Sequence, residues 1–209
     1  MLTIILIFFS FALIHSITVT RWFKELCRKT FGDTFMRVWY RFLYNALSTS
    51  TVVIAFRMMR LVPDRHLWTA PFPLLWPLYA MQAAAIVFGA LSFRYLDGTE
   101  FLGLKQVWRF LARGEVAGNV EGLTQRDLIT KGVYGVVRHP MYVAGIVLVT
   151  VNPQVTVNGL TFTVLCDLYF LFGMLVEERR FLRIFGEEYR EYMRRVPRMA
   201  PGLRMKGRP

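Results

Sequence analysis

Apolar runs of membrane-crossing length, alternating with basic connectors, constrain this chain more than any other feature of its sequence. A helix needs about 20 apolar residues to cross the hydrocarbon core of a bilayer, whereas a barrel strand needs about 10 of alternating polarity. The runs at 1–19, 42–59, 74–95, 141–151 and 157–176 are unbroken rather than alternating, which excludes a transmembrane barrel. Content that is 55% hydrophobic and 15% aromatic does not describe a soluble protein either. The expected fold is all-α: an integral membrane helical bundle of about five transmembrane helices, with a C-terminal helical hairpin followed by cytoplasmic helices. The hairpin turns at Asn152-Pro153-Gln154. Its first arm, 141–151, makes a full span only by starting within 134–140 or by tilting.

The first run has neither a basic leading segment nor a small-residue cleavage site, so a retained span is expected rather than a signal peptide. The formal charge of +12 does not point to nucleic acid, because the basic residues flank apolar spans, where positive charge sets topology. Six lie in 20–41, two in 60–73, six in 96–140 and ten in 177–209. The bias places the N-terminus outside and the C-terminus in the cytoplasm. Cys27 and Cys166 supply no disulfide framework and no metal-ligand spacing.

One membrane domain over 1–209 is expected: a three-helix part (1–95), a cytoplasmic connector (96–140), the hairpin (141–176), and a C-terminal helix with a basic tail (177–209). Residues 20–41 read as a basic connector. Within 96–140, Phe101, Leu104, Trp108 and Leu111 recur at helical steps between Lys105, Arg109 and Arg113, until Gly114 ends the pattern. Such an amphipathic helix lies either on the membrane surface or against the other spans. After Val176 the chain turns polar but stays helical through Leu182, Phe185, Tyr189, Tyr192 and Val196. Gly186 marks a joint, Glu187 and Glu188 open the next helix, and Arg194 and Arg195 close it.

The chemistry-bearing residues gather at the two ends of the hairpin. Lys131 to Tyr142 places Gly132, Tyr134, Gly135, Arg138, His139, Pro140 and Tyr142 where an apolar run begins. Interfacial anchoring would explain Arg138, Pro140 and Tyr142 by themselves. Glu177 and Glu178 stand where the next run ends, at a place where the charge bias predicts Lys or Arg. Arg179, Arg180 and Arg183 would neutralise them as ordinary ion pairs. Alternatively, a carboxylate here meets a cationic ligand group while Arg138 or His139 meets an anionic one. S-adenosylmethionine, with an amino group, a carboxylate and a sulfonium, has the charges for such a site. Tyr134 and Tyr142 would offer cation-π contacts, and Gly132 and Gly135 close backbone approach.

Gly132-x-Tyr134, Arg138-His139-Pro140-Met141-Tyr142, Glu177-Glu178-Arg179 and Phe185-Gly186-x-x-Tyr189-x-x-Tyr192-x-x-x-Val196-Pro197-Arg198 together resemble the C-terminal half of the integral membrane methyltransferases. That superfamily includes isoprenylcysteine carboxyl methyltransferase and the phospholipid N-methyltransferases. His15-Ser16, Phe23-Lys24, Arg41-x-x-Tyr44-Asn45 and Glu100 to Trp108 resemble the bacterial methanethiol S-methyltransferase group.

The resemblance implies an S-adenosylmethionine site built from the hairpin and C-terminal helix, open to the cytoplasm of a bacterial inner-membrane protein, with no metal. Gly132, Tyr134, Arg138, His139, Pro140 and Tyr142 would line the cofactor pocket. Glu178, with Glu177 second, would hold the methionyl amino group, and Arg179 or Arg198 would face the cofactor carboxylate or the substrate. Arg138, His139 and Arg179 are the expected catalytic positions. The acceptor would be a small hydrophobic thiol such as methanethiol, yielding dimethyl sulfide, or a lipid-like acceptor such as a prenylcysteine carboxylate or an amine headgroup. A non-catalytic membrane protein retaining the pocket, and a sterol-reductase-like enzyme using a nicotinamide cofactor, are the readings from other classes. Membrane lipids are the expected surroundings.

Overall fold

The computed structural model describes residues 1–116, 118 and 127–200; the basic tail expected over 201–209 lies outside them. Among these residues the chain forms α1 (Leu2–Val19), α2 (Arg21–Val38), α3 (Tyr40–Arg60), β1 (His66–Thr69), α4 (Phe72–Ser92), α5 (Gly98–Phe101), α6 (Leu104–Arg113), α7 (Val133–Val136), α8 (Pro140–Thr150), β2 (Gln154–Thr156), α9 (Val157–Phe185) and α10 (Glu187–Arg195). The architecture is an all-α membrane bundle. Three of these helices, α1, α4 and α9, are long and apolar enough to cross a bilayer, and α8 is apolar but shorter. The second expected span, α3, has the length at 21 residues but carries Asn45, Arg57 and Arg60. Large apolar side chains such as Leu6, Phe9, Leu13, Leu168 and Phe172 are exposed on the spans, as a surface facing lipid requires.

Two compact units divide the chain, Met1–Asp64 with Leu96–Arg126, and Arg65–Tyr95 with Asp127–Pro209. In the first, α1 and α3 run antiparallel. Tyr40 donates to the Thr18 carbonyl, while the His15 ring meets Ser48 at 3.2 Å and Tyr44 at 3.1 Å. His15 therefore faces the neighbouring helix. Residues 20–41, expected as a connector, are helical instead: Thr20 ends α1 and caps α2, its hydroxyl accepting from the Phe23 amide at 3.2 Å. A kink at Gly32 interrupts α2.

In the second unit α8 packs between α4 and α9, with Gly89 against Ala144 and Gly145 against Phe170; small residues allow such close approach in membranes. Pro140 begins α8 at a position where no amide donor is lost. The Thr156 hydroxyl caps α9 through the Gly159 amide at 3.0 Å. The hairpin turn is more than a turn. Its β2 residues pair antiparallel with β1, His66 opposite Thr156 and Thr69 opposite Gln154, and the Ala70 amide donates to the Pro153 carbonyl at 2.8 Å. Helix α9 continues nine residues past Val176 before Gly186 ends it, and this extension carries the paired glutamates away from the apolar stretch.

Candidate functional site

Gly132 sets the approach to α8. Its φ of +62° belongs to glycine, and a Cβ there would lie 2.1 to 2.4 Å from the Tyr95 ring, so the tyrosine occupies the space a side chain would take. One short turn, α7, follows. Tyr134 stands edge-on to Tyr95 with ring centroids 6.5 Å apart, and its carbonyl accepts the Tyr192 hydroxyl at 2.6 Å. Burial pushes the Tyr134 phenol up to about 12, helped by the charge of Glu177 and opposed by a hydrogen bond with Ser92.

Val137 is extended, which turns Arg138 toward the ends of α9 and α10. Every face of its guanidinium is used. Nε and Nη2 donate to Glu178 Oε1 at 3.0 and 2.7 Å, and Nη1 donates to the carbonyls of Met193 and Val196 at 3.0 and 2.8 Å. The Arg138 amide donates to the Pro197 carbonyl at 2.9 Å. Arg138 thereby ties the start of α8 to Glu178, two turns before the end of α9, and to the chain leaving α10. Those carbonyls are among the groups a helix C-terminus leaves unsatisfied.

Glu178 collects three cationic partners. Besides Arg138, Arg198 donates to Oε2 from Nη2 at 2.6 Å, and His139 Nε2 lies 3.3 Å from Oε1. The other ring nitrogen of His139 is 3.4 Å from Glu177 Oε2. Burial alone would lower the histidine pKa, but hydrogen bonds and charge from Glu177 and then Glu178 prevail and raise it. A carboxylate at each ring nitrogen favours the protonated imidazole. Its ring meets Tyr142 edge-to-face at 5.5 Å, and Tyr142 meets Phe170 likewise at 5.9 Å.

Of the residues expected here, Arg138, His139, Glu177 and Glu178 form one cluster, while Tyr134, Pro140 and Tyr142 surround it. Arg179 does not join and is exposed on α9; the guanidinium reaching Glu178 is that of Arg198. Glu177 differs from its neighbour in remaining partly exposed. Tyr189, named in the sequence for its helical period and family motif but given no role at the site, is fully buried and packed on Phe181 at 5.3 Å and Tyr192 at 5.8 Å. Among the described residues its hydroxyl has no hydrogen-bond partner. The three- and four-residue spacing of Tyr189 and Tyr192 marked the segment as helical, and nothing in that spacing separates a packing tyrosine from one with a polar task.

Several known proteins resemble the chain over most of its length. It is 28% identical over 198 residues to the methanethiol S-methyltransferase of Pseudomonas deceptionensis, covering 93% of this chain and 70% of that one. It is 29% identical over 195 residues to methanethiol S-methyltransferase 1 of Bradyrhizobium diazoefficiens, covering 93% of this chain and 64% of that one. The chain thus spans about two thirds of the length of these relatives. A shorter match, 35% identical over 78 residues, links it to protein-S-isoprenylcysteine O-methyltransferase B of Arabidopsis thaliana, over 35% of this chain and 39% of that one. No protein-family model matches the chain, and no solved structure does. These relatives, together with the apolar helices, support a place for the chain in the integral membrane methyltransferase superfamily.

Proposed function

We propose that the protein is an S-adenosylmethionine-dependent membrane methyltransferase that methylates a small hydrophobic thiol such as methanethiol, giving dimethyl sulfide. The observation that carries this reading is the cluster of two adjacent carboxylates with His139 and two arginines where the apolar stretches of α8 and α9 end. Its donor set suits the charges of the cofactor. The orphaned Tyr189 hydroxyl offers a further hydrogen bond to a polar ligand. The cofactor supplies an electrophilic methyl group on its sulfonium, which passes to the acceptor sulfur as the sulfonium carbon bond breaks, leaving S-adenosylhomocysteine.

The protein's part is alignment and exclusion of water. The oxygens of Glu178 are already engaged by Arg138, Arg198 and His139, so Glu177, partly exposed and paired among the described residues with His139 Nδ1, is the better partner for a ligand ammonium. Tyr142 and Tyr134 line the approach. A cationic Arg138 and His139 nearby favour the thiolate form of an acceptor, whose pKa in the free state is about 8.5 or above; its proton goes to solvent. The cofactor would reach the site from the cytoplasm at the C-terminal side, and the acceptor from the membrane.

A lipid-like acceptor is the second reading, favoured by the match to the Arabidopsis prenylcysteine enzyme. Calorimetric titration of detergent-purified protein with S-adenosylmethionine, S-adenosylhomocysteine and NADPH tests the cofactor: the first two bind and the third is silent, and failure of both adenosyl ligands refutes either methyltransferase reading. Dimethyl sulfide evolved from methanethiol then selects the thiol. Methylation of a prenylcysteine or an amine headgroup in its place selects the second reading.

A further inference from the structure

Helix α6 is amphipathic, and it is oriented against the usual rule for a helix packed on a protein core. Leu104, Trp108 and Leu111, which share one side at three- and four-residue steps, are 45%, 57% and 69% exposed. Gln106, on the other side, is 4% exposed and donates from Nε2 to the Glu100 carbonyl at 3.1 Å. Lys105 pairs with Asp97 and Glu100 of the preceding turn. Apart from Phe110, which meets Trp39 with ring centroids 6.4 Å apart, the side facing the protein is polar, and the Leu104, Trp108 and Leu111 stripe faces out. In water this arrangement leaves Leu104, Trp108 and Leu111 solvated, at a cost of about 25 cal/mol for each Å² of apolar surface.

The level of α6 relative to the spans gives the reason. The Arg41 guanidinium donates from Nη1 to the Glu100 carbonyl at 2.9 Å, and Asn45 donates to the Phe101 carbonyl at 3.1 Å. Both anchors belong to the first turns of α3. That end of α3 lies beside the end of the spanning helix α1, because Tyr40 bonds the Thr18 carbonyl. Helix α6 is therefore held level with the C-terminal end of α1. Arg109 and Arg113 flank its apolar side, with Arg113 5.4 Å over the Trp108 ring, as basic residues at a headgroup layer do.

We propose that α6 is an interfacial helix, its occupant being the lipid surface into which Leu104, Trp108 and Leu111 insert. The proposal is independent of the reaction catalysed. Spin labels are introduced singly by Leu104→Cys, Leu111→Cys and Arg113→Cys in full-length protein carrying Cys27→Ser and Cys166→Ser, reconstituted in phosphatidylcholine–phosphatidylglycerol vesicles. Labels at Leu104 and Leu111 are expected about 5–10 Å below the phosphates, accessible to oxygen more than to a water-soluble nickel chelate, with the order reversed at Arg113. Nickel access at all three positions would overturn the proposal, as would exclusion of both reagents from the stripe, which means coverage by protein or a second copy. An unlabelled check uses brominated lipids. They should quench a component of the tryptophan emission that is absent from Trp108→Phe, and identical quenching of the two proteins would count against insertion.

Discussion

Arg138 Nη2 lies 2.7 Å from Glu178 Oε1, and the two side chains are only 8% and 5% exposed. An ion pair so removed from water depends on complete pairing, since deleting one partner leaves the others charged and buried. Glu178→Ala strands Arg138 and His139 together and releases Arg198. The expected loss is about 3–5 kcal/mol of stability, read as a large fall in melting temperature in detergent together with loss of methyl transfer. A Glu178→Ala variant with unchanged melting and full activity would contradict both the structural and the functional role.

The proposed function gives the two glutamates different expected roles. Glu177→Gln should leave melting nearly unchanged, since its carboxylate is partly exposed and among the described residues pairs with His139, while weakening adenosyl-ligand affinity by about 1.5–3 kcal/mol, the range for a hydrogen bond to a charged group. Calorimetry on the same preparation checks this, and an unaltered affinity would remove Glu177 from the ligand.

His139 confers a pH dependence of known sign. Its folded pKa is raised by Glu177 and Glu178 against the opposing effect of burial. Stability from this source is complete below the unfolded value of about 6.5 and is lost as pH rises through the folded value. Melting temperature should decline across that alkaline-going window in the parent protein. His139→Gln should flatten the decline, and an equal slope in the two proteins would show that the imidazolium is not its origin.

Two glycines with positive φ differ in a measurable way. Gly186, at +55°, has nothing within 4 Å of an added Cβ, whereas at Gly132 the Tyr95 ring stands in the way. Gly186→Ala should cost about 1–3 kcal/mol from backbone strain alone. Gly132→Ala should cost more, and Tyr95→Ala in the same chain should recover the excess but not the strain. Urea or thermal unfolding of the single and double variants makes the comparison.

Much of this was readable in the chain. Unbroken apolar runs located α1, α4, α8 and α9, and the period continuing through Leu182 and Phe185 carried α9 beyond Val176. Arg138, His139, Glu177 and Glu178 were legible because carboxylates at a span end contradict the charge bias. Helix α2 was not, because six basic residues and Gly32 within 20–41 dilute its apolar period. Pairing of β1 with β2 joins segments far apart in sequence, and neither is long enough to show alternation. The choice of Arg198 over Arg179 for Glu178 depends on the backbone after α10 doubling back to Arg138, which no local pattern encodes.

The 29 residues of α9 measure about 44 Å along the axis, against about 30 Å of hydrocarbon. Counted from Val157, Glu177 falls about 30 Å along, so the helix works as a ruler that sets the paired carboxylates at the far face of the bilayer. A single residue inserted between Gly173 and Val176 would lift Glu178 by about 1.5 Å and swing it by about 100°. The apolar length of α9 and the position of its carboxylates are therefore linked through one rod, and a change of host bilayer thickness becomes a change in the depth of the charged groups.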